Sequence, residues 1–438
     1  MPKPFSVIRS AAIDGRVLNP IFRKTQLKQL HDALSTKASE IQDAIAGDTG
    51  HTPAEVQIEY SLALKHLAQA FKAINPPQAL HEEYTVSRSQ DSSHHREAVG
   101  VVVIHPARHA FFSSLLSALV PALAAGNCVL VQTEQSLLRT PRLVLDVISQ
   151  ALDGEIFEST TSPVTDADLD HPHVRVLQNG TDSAHLAHHL VSDPEARVVA
   201  VVERDADLDA AAQELVRARF ALRGRAPYAP DLVLVNEWVK REFLEAVVKH
   251  AVRQSSLLRR KVQESCLLVH AVTSIDDAID FSRSNGRLGA AYVFTKPSMA
   301  KYICQFLDTP MSFVNHVPTS LLFIPMAPLN SAVSPESYAP YSEADFTRPK
   351  AQFVTPSRQE SLLARALQNA SPDQLAALAQ ETIAKLPAVH RAHQGITHIG
   401  FFNQGVVTGG ILLLSTVLGV TGVCSYYGFG LIRSRVFM

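Results

Sequence analysis

The apolar positions of residues 20–75 recur at helical spacing. Leu27, Leu30, Leu34 and Ile41 fall on one face, and the run from Glu55 to Ile74 repeats the pattern until Pro76-Pro77 stops it. The pattern then changes. Ala98–Pro106 (AVGVVVIHP) is a short continuous apolar run of the kind a strand buried on both faces carries. Leu115–Gly126 follows as an apolar helix and Asn127–Gln132 as a second buried strand. The alternation continues with a helix at Thr140–Leu152, a strand at His173–Gln178, a helix at Asp182–Val191 and a strand at Arg197–Glu203. Next come a helix at Leu208–Phe220, a strand at Asp231–Val235, a helix at Val239–Val252, a strand at Ser265–Val272, a helix at Ser274–Asn285 and a strand at Ala290–Thr295. Strands separated by single helices imply an α/β protein with parallel sheets covered on both faces. There is no internal repeat. Residues 326–356, rich in Pro and Ser, predict an irregular connector, and Ser357–Leu386 predicts a helix.

The C-terminus carries a different pattern. No Asp, Glu, Lys, Arg or His occurs from Ile399 to Ile432, and Val406–Leu431 reads VVTGGILLLSTVLGVTGVCSYYGFGL. At about 1.5 Å per residue this run is roughly 39 Å long as a helix, enough to cross a hydrocarbon core of about 30 Å with tilt. Tyr426, Tyr427, Arg433 and Arg435 supply an aromatic and basic interface at its far end. The expectation is a single C-terminal anchor with the bulk of the chain in the cytosol, in the endoplasmic reticulum or the outer mitochondrial membrane. No secretory signal is visible in the first thirty residues.

Composition narrows the functional classes. The net charge is −2 over 438 residues with no basic block, which argues against nucleic-acid binding. The four cysteines form no CxxC pair, so neither a disulfide framework nor a zinc site is indicated, and a reducing compartment follows. His185, His188 and His189 stand at ligand spacing on a helix, but no carboxylate accompanies them and no metal site is expected.

Five ordered segments resemble the aldehyde dehydrogenase superfamily, and within it the membrane-anchored class 3 fatty aldehyde dehydrogenases. They are Glu97–Pro106, Leu115–Val131, Glu203–Val216, Ala229–Val247 and Ser274–Lys296, so the similarity covers roughly residues 20–355. The resemblance implies a Rossmann-like cofactor domain with N-terminal helices (1–203), a catalytic-type α/β domain (204–325), a connector or oligomerisation segment (326–356), a helical linker (357–398) and a transmembrane anchor (399–432). It also implies NAD or NADP as cofactor and a homo-oligomer, or a hetero-oligomer with an active relative.

The family's active residues map onto a changed site. Its cysteine in G-Q-T-C, which attacks the aldehyde and later releases hydride, falls on Pro227 in Gly224-Arg225-Ala226-Pro227, and Ser, Thr and Cys are absent from residues 217–231. The oxyanion-stabilising asparagine of P-W-N falls on Arg108, whose guanidinium still donates hydrogen bonds. The general-base glutamate falls near Asp193 and Glu195. The ribose-holding K-P-S-E reads Gln132-Thr133-Glu134-Gln135. The G-S-T-x-x-G turn that brings a helix N-terminus to phosphate reads Asn179-Gly180-Thr181-Asp182-Ser183-Ala184, with Asp182 placing a negative charge there. Glu264 matches the glutamate on the nicotinamide ribose, Cys266 stands beside it, and Cys128 reads as core. Two functions are therefore open. One is a membrane-tethered pseudoenzyme with a ligand-binding, scaffolding or partner role and weak or absent cofactor binding. The alternative is an NAD(P)-dependent oxidoreductase oxidising aliphatic or fatty aldehydes to acids with an atypical site.

Overall fold

A computed structural model describes residues 4–169, 171–180, 188–255, 266–284, 286–329, 331–334, 339–369, 371–373, 375–376, 379 and 401–436. The chain divides into two compact units, Met1–Thr355 and Pro356–Met438.

Helices open the first unit. Pro20–Thr36 starts with Pro at its first position and with Asn19 accepting hydrogen bonds from the Ile21 and Phe22 N–H groups. Leu27, Leu30 and Leu34 are its buried stripe, as the periodicity predicts. Helix Pro53–Ala73 begins in a capping box: the Glu55 N–H donates to the Thr52 hydroxyl oxygen at 3.3 Å, and the Thr52 N–H to the Glu55 carboxylate at 2.8 Å.

Strand β1 (Arg96–Ala98) leads into the first parallel sheet, formed by β2 (Val101–His105), β3 (Cys128–Gln132), β4 (Phe157–Thr160), β5 (His173–Leu177) and β6 (His189–Val191) in the order β4-β3-β2-β5-β6. Helix Phe111–Ala124 crosses from β2 to β3. Nearly all its residues from Phe112 on are buried, as its apolar sequence on every face demands. The second sheet, also parallel, holds β7 (Arg197–Val202), β8 (Leu232–Asn236), β9 (Leu268–Val272), β10 (Leu288–Phe294) and β11 (Ser312–Val314) in the order β11-β10-β7-β8-β9. Strand β12 (Thr347–Pro349) returns to pair antiparallel with β1. One hydrophobic cluster surrounds the first sheet and the N-terminal helices, and two flank the second sheet.

The helix expected at Asp182–Val191 is corrected where it is described: His189–Val191 is strand β6, paired in parallel with Arg175–Leu177. The pairing gives those backbone groups a ladder that a helix would have supplied internally. Residues 181–187 lie outside the described residues. The connector at 326–356 contains more structure than expected, a short 3-10 turn at Glu343–Phe346 followed by β12.

The second unit contains helix Arg358–Asn369 and helix Phe401–Val436. Within the latter, Gly405–Val423 has a mean hydropathy of 2.0 and none of it is buried. It is the one helix among the described residues long and apolar enough to cross a membrane.

Candidate functional site

Only Ser192–Ala196 separate the end of β6 from the start of β7, so the carboxyl ends of the first sheet meet the amino ends of the second. In open parallel sheets, ligand sites lie outside the carboxyl ends of the strands. Ser192 is fully buried at this junction. Its hydroxyl donates to the Met326 carbonyl at 2.6 Å and lies 3.4 Å from the Tyr341 hydroxyl.

Pro227 belongs to the loop between helix Leu208–Phe220 and β8. The loop bends through three consecutive left-handed residues, Leu222, Arg223 and Gly224, with φ of 51°, 58° and 71°. Two of these carry side chains, a conformation that costs roughly 1–2 kcal/mol each. It persists because the loop is held at both ends. The Leu222 N–H donates to Glu55 Oε1 at 2.7 Å, so the carboxylate that caps helix Pro53–Ala73 also grips the loop. Beyond Pro227, the buried Tyr228 accepts the Ala327 N–H on its hydroxyl and the Tyr292 hydroxyl on its carbonyl, both at 2.8 Å. Burial pushes the Tyr228 phenol up to about 12. Pro227 is half-buried between these anchors.

Two imidazoles lie beside the loop, which itself carries the Arg223 and Arg225 guanidinium groups. His109 donates from Nε2 to the Leu322 carbonyl at 3.2 Å, and burial holds it down at about 4, with His51 and Arg225 adding to the shift. His51 is lowered chiefly by burial; Glu55 opposes the shift, and Arg223 and Arg225 reinforce it. Both rings are therefore neutral near pH 7. The Arg223 guanidinium lies against Gly50, where an added Cβ would sit 2.5 Å from Nη2. These groups can orient a polar ligand. None supplies the thiolate that attack on an aldehyde requires.

The remaining sequence-derived candidates are dispersed. Arg108 is exposed and its guanidinium pairs with Glu134 in the loop after β3, leaving its neighbour His109 as the residue in electrostatic reach of Arg225. Gln132 accepts the Val164 N–H on Oε1 at 3.0 Å, and Gln135 is exposed. Thr133, Glu134, Arg139, Arg142 and Thr160 line a hollow of 1040 Å³ at the carboxyl ends of β3 and β4. Asp193 accepts the Glu195 N–H at 3.0 Å, so its carboxylate closes its own turn, and Glu195 is exposed. Gly180 follows β5 with φ +64°. Thr181, Asp182, His185 and Glu264 lie outside the described residues. Cys128 is fully buried, with its thiol pushed up to about 12 by burial, and Cys266 is exposed. Among the described residues, no three His, Cys, Asp or Glu side chains form a metal site.

The sequence reading missed His51, Glu55, Glu59 and His109. Thr52-Pro53-Ala54-Glu55 does carry the capping-box signature, and Glu59 interrupts the buried face marked by Val56, Tyr60 and Ala63. Glu59 is 1% exposed, and neither carboxylate oxygen has a hydrogen-bond partner. Burial raises it to about 7, and the backbone of Ser113, near the start of helix Phe111–Ala124, only partly offsets this.

The Aldehyde dehydrogenase family profile matches residues 10–267. Among curated relatives, 4,4'-diaponeurosporen-aldehyde dehydrogenase of Staphylococcus aureus is 23% identical over 249 residues, 52% of this chain and 53% of the relative. Aldehyde dehydrogenase family 3 member A2 of Mus musculus is 24% identical over 262 residues, 55% of this chain and 52% of the relative. The chain thus spans about half the length of the curated relatives it matches. In three dimensions, a substrate-bound Staphylococcus aureus AldH superposes with a TM-score of 0.64 at 18% identity, covering 86% of this chain and 98% of that one. The two parallel sheets are thus the aldehyde dehydrogenase fold, and by its sequence the chain belongs to the aldehyde dehydrogenase family, with class 3 members among its relatives.

Proposed function

We propose that this chain is a membrane-tethered, non-catalytic member of the family, whose folded unit binds a ligand or assembles with a partner, either another copy or an active relative. One observation carries the proposal: Pro227 stands where the resemblance places the nucleophile, on a loop fastened at Leu222 and Tyr228, with no Ser, Thr or Cys between residues 217 and 231. A proline side chain has no atom that forms a hemithioacetal. Without that adduct there is no hydride to transfer.

The residues present also fit NAD or NADP poorly. Gln132 stands where the resemblance places a ribose-holding lysine, and its carbonyl oxygen is engaged by Val164; Glu134 is engaged by Arg108. Losing two or three charge-assisted hydrogen bonds at roughly 1.5–3 kcal/mol each weakens a micromolar site by about a hundredfold at the low end and by more than a thousandfold in the middle of that range. The expected NAD affinity is weaker than about 1 mM. Calorimetry on the full-length protein in detergent tests it, and micromolar binding of NAD or NADP would overturn this part of the proposal.

The apolar helix Phe401–Val436 supports the tether, with residues 1–398 on the cytosolic face. Alkaline carbonate extraction distinguishes an integral anchor from a soluble helix. The full chain is expected to stay in the membrane pellet while a chain ending at Thr397 is released; equal release of both would exclude the anchor.

A further inference from the structure

The loops that follow β2 and β5 lie where the strand order of the first sheet reverses, since β2 has β3 on one side and β5 on the other. A ligand of an open parallel sheet enters at such a point, and its phosphates approach the backbone of both loops. Here the two loops bind each other instead. Asn179 Nδ2 donates to the Pro106 carbonyl at 2.9 Å, and the Arg108 N–H donates to Asn179 Oδ1 at 3.2 Å. One residue earlier, the Ala107 N–H donates to Gln178 Oε1 at 2.8 Å, and Gln178 Nε2 donates to the Ser114 carbonyl at 2.9 Å. Gln178 is 2% exposed. On the far side Gly180 adopts φ +64° beneath Pro194, whose Cδ would lie 2.8 Å from a Cβ at that position, so the backbone immediately after Asn179 is confined as well.

We propose that Asn179 is a specificity-determining lock that keeps the diphosphate of a dinucleotide out of this crevice. The inference rests on the cofactor-poor reading above and adds Asn179 to the residues that produce it. Asn179 stands where the family's phosphate turn has its first glycine. A glycine leaves the Pro106 carbonyl and the Arg108 N–H free and lets a phosphate reach the backbone. A carboxamide offers one acceptor and one pair of donors, and here it satisfies both of those backbone groups at once. A phosphate arriving at the crevice meets no free N–H on Arg108 and must displace a neutral side chain that already occupies the approach. Gln178 acts differently, because it is buried and ties Ala107 to helix Phe111–Ala124, which positions the loop.

The test uses the full-length protein in detergent with NAD as probe, comparing wild type with Asn179→Gly and Asn179→Ser, whose shorter side chain cannot span both backbone groups. Calorimetry should show NAD binding at least tenfold tighter in both variants than in wild type. Amide hydrogen exchange without NAD supplies a second readout: Arg108 should exchange at least tenfold faster in both variants, while Ala107, held by Gln178, keeps its wild-type rate. The serine variant carries the comparison if the glycine variant does not fold. Unchanged NAD affinity in a folded variant would overturn the lock, as would unchanged exchange at Arg108. Micromolar NAD binding by wild type would instead overturn the cofactor-poor reading on which the lock rests, so the two failures are distinguishable.

Discussion

Replacing Glu59 with glutamine should remove most of the pH dependence that this one carboxyl imposes on the fold. Glu59 is 1% exposed, neither oxygen has a well-formed hydrogen bond, and burial, only partly opposed by the Ser113 backbone, raises it from 4.5 to about 7. The fold therefore favours the neutral acid. For a raised carboxyl the penalty is absent below the unfolded value, grows as pH rises past 4.5, and is complete above about 7. At about 1.4 kcal/mol per pH unit, the full penalty is about 3 kcal/mol, of which about 1 kcal/mol is present at pH 5. Glutamine keeps the shape and a buried polar group but cannot ionise, so its own burial cost is nearly the same at every pH. Relative to wild type, Glu59→Gln should thus gain about 2 kcal/mol more stability at pH 8 than at pH 5. Urea unfolding of the full chain in detergent at the two pH values measures that difference directly. Parallel pH profiles for the two proteins would show that Glu59 ionises without penalty, through a partner or a water, and the reasoning from its burial would fail.

Two further outcomes follow from the loop that carries Pro227. Pro227→Cys alone should give no measurable NADH from a medium-chain aldehyde, because a thiolate also needs a placed carbonyl, donors for its oxyanion and a hydride acceptor; turnover by this single variant would show the rest of the site to be intact. Arg223→Gly should raise stability by about 0.5–1 kcal/mol, since glycine adopts φ 58° without the side-chain penalty but loses more conformational entropy on folding, and a lower urea midpoint would show that the loop is not strained there.

The sequence carried the architecture in its periodicity. Runs such as Val101–Ile104 and Val129–Val131, apolar at every position, are what a strand buried on both faces requires, and they became β2 and β3. Short elements left no such trace. His189–Val191 is polar at its first position and follows a histidine-rich stretch with helical spacing, and only pairing with β5 makes it a strand. Likewise the apolar run of Arg197–Val202, assigned from the resemblance to the segment 1–203, does not encode which sheet it joins, because that depends on long-range pairing with β8 and β10 in the second sheet. At the candidate site, motif matching named Pro227 but not its surroundings. His109 and Glu55 reach the loop through the crossing of helices far apart in sequence, and a motif confined to neighbouring residues does not encode that. Arg108 shows the converse. Its position follows from the motif, whereas its partner, Glu134 on another loop, is a matter of tertiary structure.

Whether this family fold has lost its chemistry at Pro227, as proposed, is tested most simply by NADH formation by the wild-type, full-length protein in detergent with NAD and a medium-chain aliphatic aldehyde, alongside a catalytically competent family 3 enzyme as positive control. No NADH above the protein-free background is expected at any aldehyde concentration. Sustained, aldehyde-dependent turnover by the wild-type chain would contradict it.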